Sequence, residues 1–174
     1  AILGCGGLGL NAISIATAMG FKNIIAIDID PKKLKIAKEM GAIKTFNNSQ
    51  KTEPEELKRL TGNRLMAILD THGSSSSAHI AVRALSKAGK YLIVGQAGGD
   101  FKMPLIWLPQ KAMTVRGSHV GNSPQLRKLI KMVRSNKIKQ IPIERRQLSS
   151  INQSINDLQS GKITGRVVFE PDIY

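Results

Sequence analysis

Hydrophobic and polar positions alternate between two spacings along this chain. Short apolar runs at residues 1–3, 23–28, 65–70 and 91–94 are typical of strands that are buried on both faces of a sheet. The longer segments between them carry apolar residues at helical spacing, and some end at a glycine such as Gly41. Strand and helix patterns that follow each other in this way predict an α/β fold with a parallel sheet.

The same patterns place individual elements along the chain. The first helix is predicted at 7–19, and a second helix begins after Asp30, which can cap it, with Pro31 at its first position. The predicted buried sides are Ala12, Ile15, Ala16 and Met19 in the first helix, and Leu34, Ala37 and Met40 in the second. Further strands are predicted at 42–46, 113–117 and 166–169, with an extended piece at 141–143. A third helix is predicted to open at 52–56, and further helices are predicted at 74–85, 124–135 and 149–159. The segment 96–109 is predicted as a loop.

A glycine-rich turn follows the first apolar run and opens the first helix. Its sequence is Gly4-Cys5-Gly6-Gly7-Leu8-Gly9, and an acidic residue, Asp28, ends the second apolar run 19 positions after Gly9. This arrangement matches the fingerprint of dinucleotide-binding proteins. It predicts a Rossmann fold, a doubly wound parallel sheet of six strands in the order 3-2-1-4-5-6, here with a short C-terminal α/β extension.

The residues of the turn suit the binding of a dinucleotide. Gly4 allows a sharp turn, Gly6 or Gly7 leaves room for the diphosphate at the helix N-terminus, and Gly9 lets the helix pack closely. Asp28 is placed to accept hydrogen bonds from the hydroxyls of the adenine ribose. Because its carboxylate would repel a 2′-phosphate, we expect NAD rather than NADP.

The charge of the chain raises a second possibility. It carries 26 Lys and Arg against 12 Asp and Glu, a net charge of +14, and cations are densest at 127–146. Such a charge suits nucleic acid, but this stretch has no aromatic residue that could stack on bases. We therefore interpret it as the solvated face of a lysine-rich protein of thermophilic type. The single cysteine and the lack of an apolar stretch of membrane length favour a cytoplasmic location without membrane contact.

Further motifs extend the match over nearly the whole chain. They lie at 27–34, 37–42, 69–73, 89–95, 117–122 and 160–168. Together with the glycine turn, they resemble the cofactor-binding domain of the zinc-type alcohol dehydrogenases, which belong to the medium-chain dehydrogenase/reductase superfamily. The resemblance implies an NAD-binding Rossmann domain at 1–120 and, at 121–174, a C-terminal extension that would pack against the family's N-terminal catalytic domain.

The resemblance also implies a role for each matching residue. The diphosphate would lie on Gly4, Gly6, Gly7, Leu8 and Gly9 with Arg166 near it, the adenine ribose beside Asp28, Ile29 and Lys33, and the nicotinamide beside Val94, Gly95, Gln96, Ser118 and His119. The reaction implied is hydride transfer between NAD and a small alcohol, sugar or polyol, of the EC 1.1.1 type. A homodimer, or a tetramer built from dimers, would form through the sixth strand, with Trp107 either in the core or at that contact.

One part of the family's pattern is absent from this sequence. The family binds catalytic zinc upstream of the glycine turn, where this chain has only three residues, fewer than a buried strand usually needs. We therefore interpret the chain as part of a longer protein. Cys5, His72, His79 and His119 lack the spacing of metal ligands. We expect no catalytic residue and no metal site in this chain, which by itself would bind NAD without catalysis.

Two alternatives stay open at this point. The first is a zinc-free quinone or enoyl reductase of the same superfamily, although such relatives usually favour NADPH and lack an acid at the position of Asp28. The second is a non-catalytic NAD-sensing or nucleic-acid-binding module that uses the positive charge. The cofactor preference distinguishes the first from the main interpretation, and the salt dependence of DNA binding distinguishes the second.

Overall fold

The computed structural model describes residues 1–49 and 54–171. The strands are β1 (Ile2–Leu3), β2 (Ile25–Asp28), β3 (Lys44–Asn47), β4 (Ala67–Asp70), β5 (Lys90–Ile93), β6 (Thr114–Gly117), β7 (Ile143–Gln147) and β8 (Arg166–Glu170). The helices are α1 (Gly7–Ala18), α2 (Pro31–Met40), α3 (Pro54–Leu60), α4 (Ser75–Ala84), α5 (Trp107–Lys111), α6 (Ser123–Arg134) and α7 (Ile151–Gln159), the last preceded by a 3₁₀ turn at Leu148–Ser150.

The main sheet has the predicted topology. Its six strands are parallel and lie in the order β3-β2-β1-β4-β5-β6, which confirms the Rossmann fold. Side chains of successive strand residues point to opposite faces, so the sheet supports two hydrophobic cores. Ile2 packs in the core built with Ile13 of α1, whereas Leu3 packs in the core built with Val82 of α4. This layering brings the carboxyl ends of the central strands to one edge.

The buried side of α1 differs from the prediction. Leu10 and Ile13 are buried, whereas Met19 is 57% exposed. Of the predicted stripe, Ala12 and Ala16 are partly buried and pack against this core, and Ile15 is partly buried. The helix is apolar on several sides, so periodicity in the sequence did not identify the side that meets the sheet. The predicted buried residues of α2 are confirmed, because Leu34 and its partners on that side lie in the core.

Other differences concern loops and boundaries. The segment predicted as a loop at 96–109 contains the start of α5, where Trp107 packs against the core and lies near two cations. The Arg83 guanidinium lies 5.4 Å from the centroid of its ring and the Lys111 ammonium 5.2 Å. The third helix was predicted to open at 52–56, and the first two of those positions lie outside the described residues. Strand boundaries differ most in β7, which begins where the predicted piece at 141–143 ends.

The C-terminal extension is attached to the side of α1. β7 and β8 form a parallel pair, and Ile141, just before β7, is buried in the core of α1 and α2. The Ser14 hydroxyl donates to the backbone oxygen of Lys139 at 2.8 Å, and the Lys139 ammonium donates to the backbone oxygen of Glu39 at 2.7 Å. Ile141 and these polar contacts hold the start of the extension against the main sheet's helices.

Candidate functional site

An open cleft of about 480 Å³ lies where the carboxyl ends of β1, β2, β3 and β4 meet. Parallel α/β sheets bind their ligands at this edge, next to the point where the strand order reverses. The described residues that line the cleft are Leu3, Gly4, Gly6, Gly7, Leu8, Ile27, Asp28, Ile29, Lys33, Asn48, Thr71, His72, Ser76, Ser77 and Arg166. Eight of the predicted site residues are among them, from three separate parts of the sequence.

The glycine turn connects β1 to α1 in a compact conformation. Gly4 has a φ of +88°, which favours glycine, and its N–H donates to the backbone oxygen of Ile27 at 2.8 Å. The Thr71 hydroxyl donates to the Gly4 carbonyl at 2.9 Å. A side chain at Gly9 would collide with that same carbonyl. Gly9 therefore lies behind the cleft and allows α1 to begin directly against the turn.

The N-terminus of α1 faces the cleft with its amides available to a ligand. Among the described residues, no side chain caps the helix at Gly6, and the first turn contains no acid. Gly6 lines the cleft, yet a Cβ built on it would have no described protein atom within 4 Å. This glycine therefore relieves no contact within the protein and instead leaves space in front of the helix. Unpaired N–H groups at a helix N-terminus, next to such space, suit a phosphate or diphosphate.

Asp28 lines the same cleft at the end of β2, next to the glycine turn. One carboxylate oxygen accepts the N–H of Cys5 at 2.6 Å, and the other accepts the N–H of Asp30 at 2.9 Å. These hydrogen bonds fix the carboxylate at the end of β2, and each oxygen keeps a further lone pair. The carboxylate can thus accept hydrogen bonds from vicinal hydroxyl groups without moving. Lys33 of α2 and the exposed side chain of Ile29 line the same part of the cleft.

The C-terminal extension reaches the cleft beside the start of α1. A Cβ on Gly7 would lie 2.7 Å from the backbone oxygen of Gly165 and 2.5 Å from Nε of Arg166. The backbone just before β8 therefore lies directly against the start of α1. Arg166 lines the cleft and places a guanidinium beside the helix N-terminus. Both the helix dipole and this cation favour an anion at that position.

The predicted nicotinamide residues lie at the next two strands and not in the described lining of this cleft. Val94, Gly95 and Gln96 follow β5, and the N–H groups of the first two donate to the backbone oxygen of Asp70 at 2.9 and 3.0 Å. A side chain on Gly95 would collide with the backbone of His72, so this segment packs tightly on the cleft wall.

Ser118 and His119 follow β6, farther along the same edge of the sheet. The Ser118 N–H donates to the backbone oxygen of Ile93 at 2.9 Å, and His119 is exposed. The structure therefore places the two predicted nicotinamide segments on neighbouring strands.

The wall after β4 contains Asp70, to which sequence reasoning gave no role beyond the end of a strand. Asp70 is fully buried and accepts hydrogen bonds from the N–H groups of His72 and Gly73, at 2.9 and 2.8 Å. Its other oxygen accepts from the hydroxyls of Ser77 at 2.6 Å and Tyr91 at 2.7 Å. Burial, together with the Asp70 carboxylate, raises the pKa of Tyr91. The carboxylate thus holds the turn that presents Thr71 and His72 to the cleft.

Neither the cysteine nor the histidines and acids of the described residues form a reactive or metal-binding group. Cys5 is fully buried, and burial together with the Asp28 carboxylate raises the pKa of its thiol to about 12. It is a packing residue, as predicted. Within 1–49 and 54–171, no group of three or more His, Cys, Asp or Glu is placed to hold a metal ion. Over the same residues, no helix is long and apolar enough to cross a membrane.

Comparisons with known proteins identify the family of this chain. A family model described as "Zinc-binding dehydrogenase" matches residues 7–135, most of the chain. The chain belongs to the zinc-binding dehydrogenase family. Its dehydrogenase relatives include an NAD-dependent alcohol dehydrogenase of Sulfurisphaera tokodaii, 34% identical over 95% of this chain and 48% of that protein. A galactitol 1-phosphate 5-dehydrogenase of Escherichia coli is 30% identical over 98% of this chain and 52% of that protein.

A solved dehydrogenase structure has the same fold along nearly the whole chain. The alcohol dehydrogenase of the hyperthermophilic archaeon Aeropyrum pernix superposes with a TM-score of 0.91 at 28% identity, over 98% of this chain and 49% of that one. The chain thus spans about half the length of the curated relatives that it matches.

Proposed function

We propose that this chain binds NAD(H) in the cleft and forms the cofactor-binding part of an NAD-dependent alcohol or polyol dehydrogenase. The diphosphate lies at the N-terminus of α1, against Gly4, Gly6, Gly7 and Leu8, with Arg166 at its side. The adenine ribose lies beside Asp28, Ile29 and Lys33. Gly9 contributes indirectly, because it lets α1 approach the turn.

The observation that carries this proposal is the empty space at Gly6. The chain has a helix N-terminus without a side-chain cap, a glycine that no described protein atom requires, and a fixed carboxylate in the lining of the same cleft. A diphosphate accepts hydrogen bonds and a ribose donates them, so the amides and the carboxylate complement the two halves of an adenosine diphosphate. The carboxylate also repels a 2′-phosphate, which favours NAD over NADP.

The bound nicotinamide would supply the redox chemistry, as acceptor or donor of a hydride. The part of this chain is to hold and orient it. We assign Val94, Gly95 and Gln96 to the border of the nicotinamide ring, and Ser118 and His119 to its carboxamide. In support of this assignment, both segments follow strands at the same edge as the cleft.

The substrate and the zinc belong to the longer protein that we propose. The names of the relatives include an alcohol dehydrogenase and a polyol phosphate dehydrogenase, which supports a small alcohol, sugar or polyol as substrate. Zinc there would polarise the substrate oxygen. The extension at 121–174 would pack against that catalytic part, and the single cysteine favours a cytoplasmic location.

We also propose that the chain associates as a homodimer, or as a tetramer of dimers, through β6. This strand lies at the edge of the six-stranded sheet, and Thr114 and Arg116 in it are exposed. An edge strand offers unpaired backbone groups that a second copy can pair with. Sedimentation equilibrium should give at least twice the 18.9 kDa of the single chain. A mass of one chain at all concentrations would contradict this part of the proposal.

Calorimetric titration of the chain with NADH and NADPH tests the cofactor assignment. We expect NADH to bind and NADPH to bind more weakly, and we expect Asp28→Asn to weaken NADH by about ten-fold, the value of a hydrogen bond to a charged group. Asparagine keeps one acceptor for the backbone of the turn, and the unfolding temperature shows whether the fold is kept. A preference for NADPH would favour a quinone or enoyl reductase instead. Tight DNA binding with a steep salt dependence would favour a nucleic-acid-binding module.

A further inference from the structure

His72 lines the cleft in the turn that follows β4, and no assignment above uses its side chain. Its N–H donates to the Asp70 carboxylate at 2.9 Å, and its backbone oxygen accepts the N–H of Ala97 at 3.0 Å. Because both backbone groups are paired while the residue is exposed, the part of His72 that meets solvent is its imidazole. The fold therefore fixes the backbone and leaves the ring accessible to a ligand.

This histidine stands between the two proposed halves of the dinucleotide site. On one side, its Cβ lies 3.6 Å from the position that a Cβ on Gly4 would take, so the side chain starts beside the glycine turn. On the other side, its backbone packs directly against Gly95, which we assign to the border of the nicotinamide. A ligand that spans the cleft from the glycine turn to the end of β5 therefore passes the imidazole.

The protein itself gives the imidazole no anionic partner. Within 1–49 and 54–171, the ring forms no hydrogen bond or ion pair. The charged side chains in the described lining of the cleft are one anion, Asp28, and two cations, Lys33 and Arg166. Asp70 is buried under the same turn, and its oxygens already accept four hydrogen bonds. The other segments packed against His72, which are the glycine turn, the first turn of α4 and residues 94–97, carry no charged side chain.

We infer that the protonated imidazole of His72 pairs with the diphosphate of the bound dinucleotide and makes cofactor affinity depend on pH. This inference rests on the proposed function, because it needs the diphosphate at the glycine turn. A histidine ring changes its charge between pH 5 and 8, whereas the diphosphate of a dinucleotide keeps two negative charges throughout that range. The bound anion favours the imidazolium, and the imidazolium favours the bound anion to the same extent. Affinity should therefore be highest at the acid end of the range and fall as the ring loses its proton.

ADP-ribose is the probe that isolates this contact. It has the adenosine, the diphosphate and the second ribose of NADH, and it lacks the nicotinamide, so the groups assigned to that ring do not contribute. None of its own groups titrates between pH 5.5 and 8.5. In calorimetric titrations across this range, we expect the affinity of the unmodified chain for ADP-ribose to fall by about five-fold, the upper end for an ion pair that stays partly exposed. Titrations near pH 7 in buffers of different ionisation enthalpy should show that binding takes up protons.

Two histidine variants identify the group that is responsible. His72→Gln keeps a polar side chain without the charge. It should bind ADP-ribose at every pH with the affinity that the unmodified chain has at pH 8.5, and it should take up no proton. His79→Gln is the matched control, because His79 is an exposed histidine of α4 that lies in a separate pocket with Asp100 and Lys102. It should keep the pH dependence of the unmodified chain.

The outcomes separate this inference from the proposed function. A constant affinity for ADP-ribose over the range, or a pH dependence that persists in His72→Gln, would overturn the role of His72 while cofactor binding stands. The second result would assign the pH dependence to another group, such as the ammonium of Ala1, since burial lowers its pKa to about 6. Failure of the unmodified chain to bind ADP-ribose or NADH at any pH would overturn both proposals. If His72→Gln does not fold, proton uptake decides, because its absence in the unmodified chain or its loss in His79→Gln counts against the inference.

Discussion

Substitution of Gly6 by alanine should distinguish an effect on ligand binding from an effect on the stability of the fold. Gly6 has φ and ψ of −78° and −162°, an extended conformation that alanine adopts without strain. A Cβ at this position has no described protein neighbour within 4 Å. The folded protein therefore gains no clash. Alanine also lowers the conformational entropy of the unfolded chain, which stabilises the folded protein by about 0.4–1 kcal/mol. We expect Gly6→Ala to unfold at the same temperature as the unmodified chain or slightly above it.

The effect of the same methyl group on NADH should be large. It would stand in front of the α1 N-terminus, where the proposed diphosphate approaches the backbone. Insertion of a methyl group into a filled site costs about 1–3 kcal/mol. A mid-range loss of about 2 kcal/mol corresponds to about thirty-fold weaker binding. Calorimetric titration with NADH measures the affinity, and thermal unfolding by circular dichroism measures the stability of the same samples.

Gly9→Ala is the matched control for this experiment. Its Cβ would collide with the Gly4 carbonyl inside the protein. We expect a loss of stability of about 2–3 kcal/mol and an unfolding temperature lower by about 5–10 °C. Unchanged NADH affinity in a folded Gly6→Ala protein would refute the idea that the diphosphate lies at this turn. Equal destabilisation by Gly6→Ala and Gly9→Ala would refute the assignment of the space at Gly6 to a ligand.

Three further predictions follow from the contacts of single residues. Arg166→Met should lower the affinity for NADH by about ten-fold and reduce the salt dependence of binding, because a cation beside the proposed diphosphate is lost. Titrations at several ionic strengths measure both, and an unchanged salt dependence would place Arg166 away from the diphosphate. Tyr91→Phe should remove about 2 kcal/mol of stability, because its hydroxyl donates to the buried Asp70 carboxylate, and urea unfolding at pH 7 measures this loss. Cys5 should resist a thiol reagent at pH 8 until the chain is unfolded, because the folded pKa of its thiol is about 12 against 9.0 for a free thiol. The unfolded thiol ionises first as the pH rises above 9, so the free energy of unfolding should fall from that pH upwards. Rapid labelling of the native thiol would contradict that pKa.

The fold and the first half of the site could be predicted because their signals are local. The turn Gly4–Gly9, the apolar strand before it and the acid at the end of β2 are read from short stretches of sequence. The order of the six strands follows from that fingerprint and is confirmed. The buried side of α1 was predicted only in part, because a helix that is apolar on several sides carries no periodic signal of its own.

The other half of the site depends on neighbours that are distant in sequence. Asn48 looks like an ordinary loop residue until the sheet brings the end of β3 beside the glycine turn. Asp70 was predicted only as the end of a strand, and its four donors come from its own turn, from α4 and from β5. Position provides the one usable signal. Polar residues that directly follow buried parallel strands are candidates for a site at that edge.

The same reasoning applies most strongly to the end of the C-terminal extension, where Gly165 and Arg166 lie beside the cleft but outside the matched family segment. The match ends at residue 135, whereas Gly165 and Arg166 lie against Gly7 at the start of α1. Their position is held by Ile141 in the core of α1 and α2 and by the hydrogen bond from Ser14 to the backbone of Lys139. Because the extension packs on the helix whose N-terminus faces the cleft, a shift of the extension would also move the Arg166 guanidinium relative to that N-terminus.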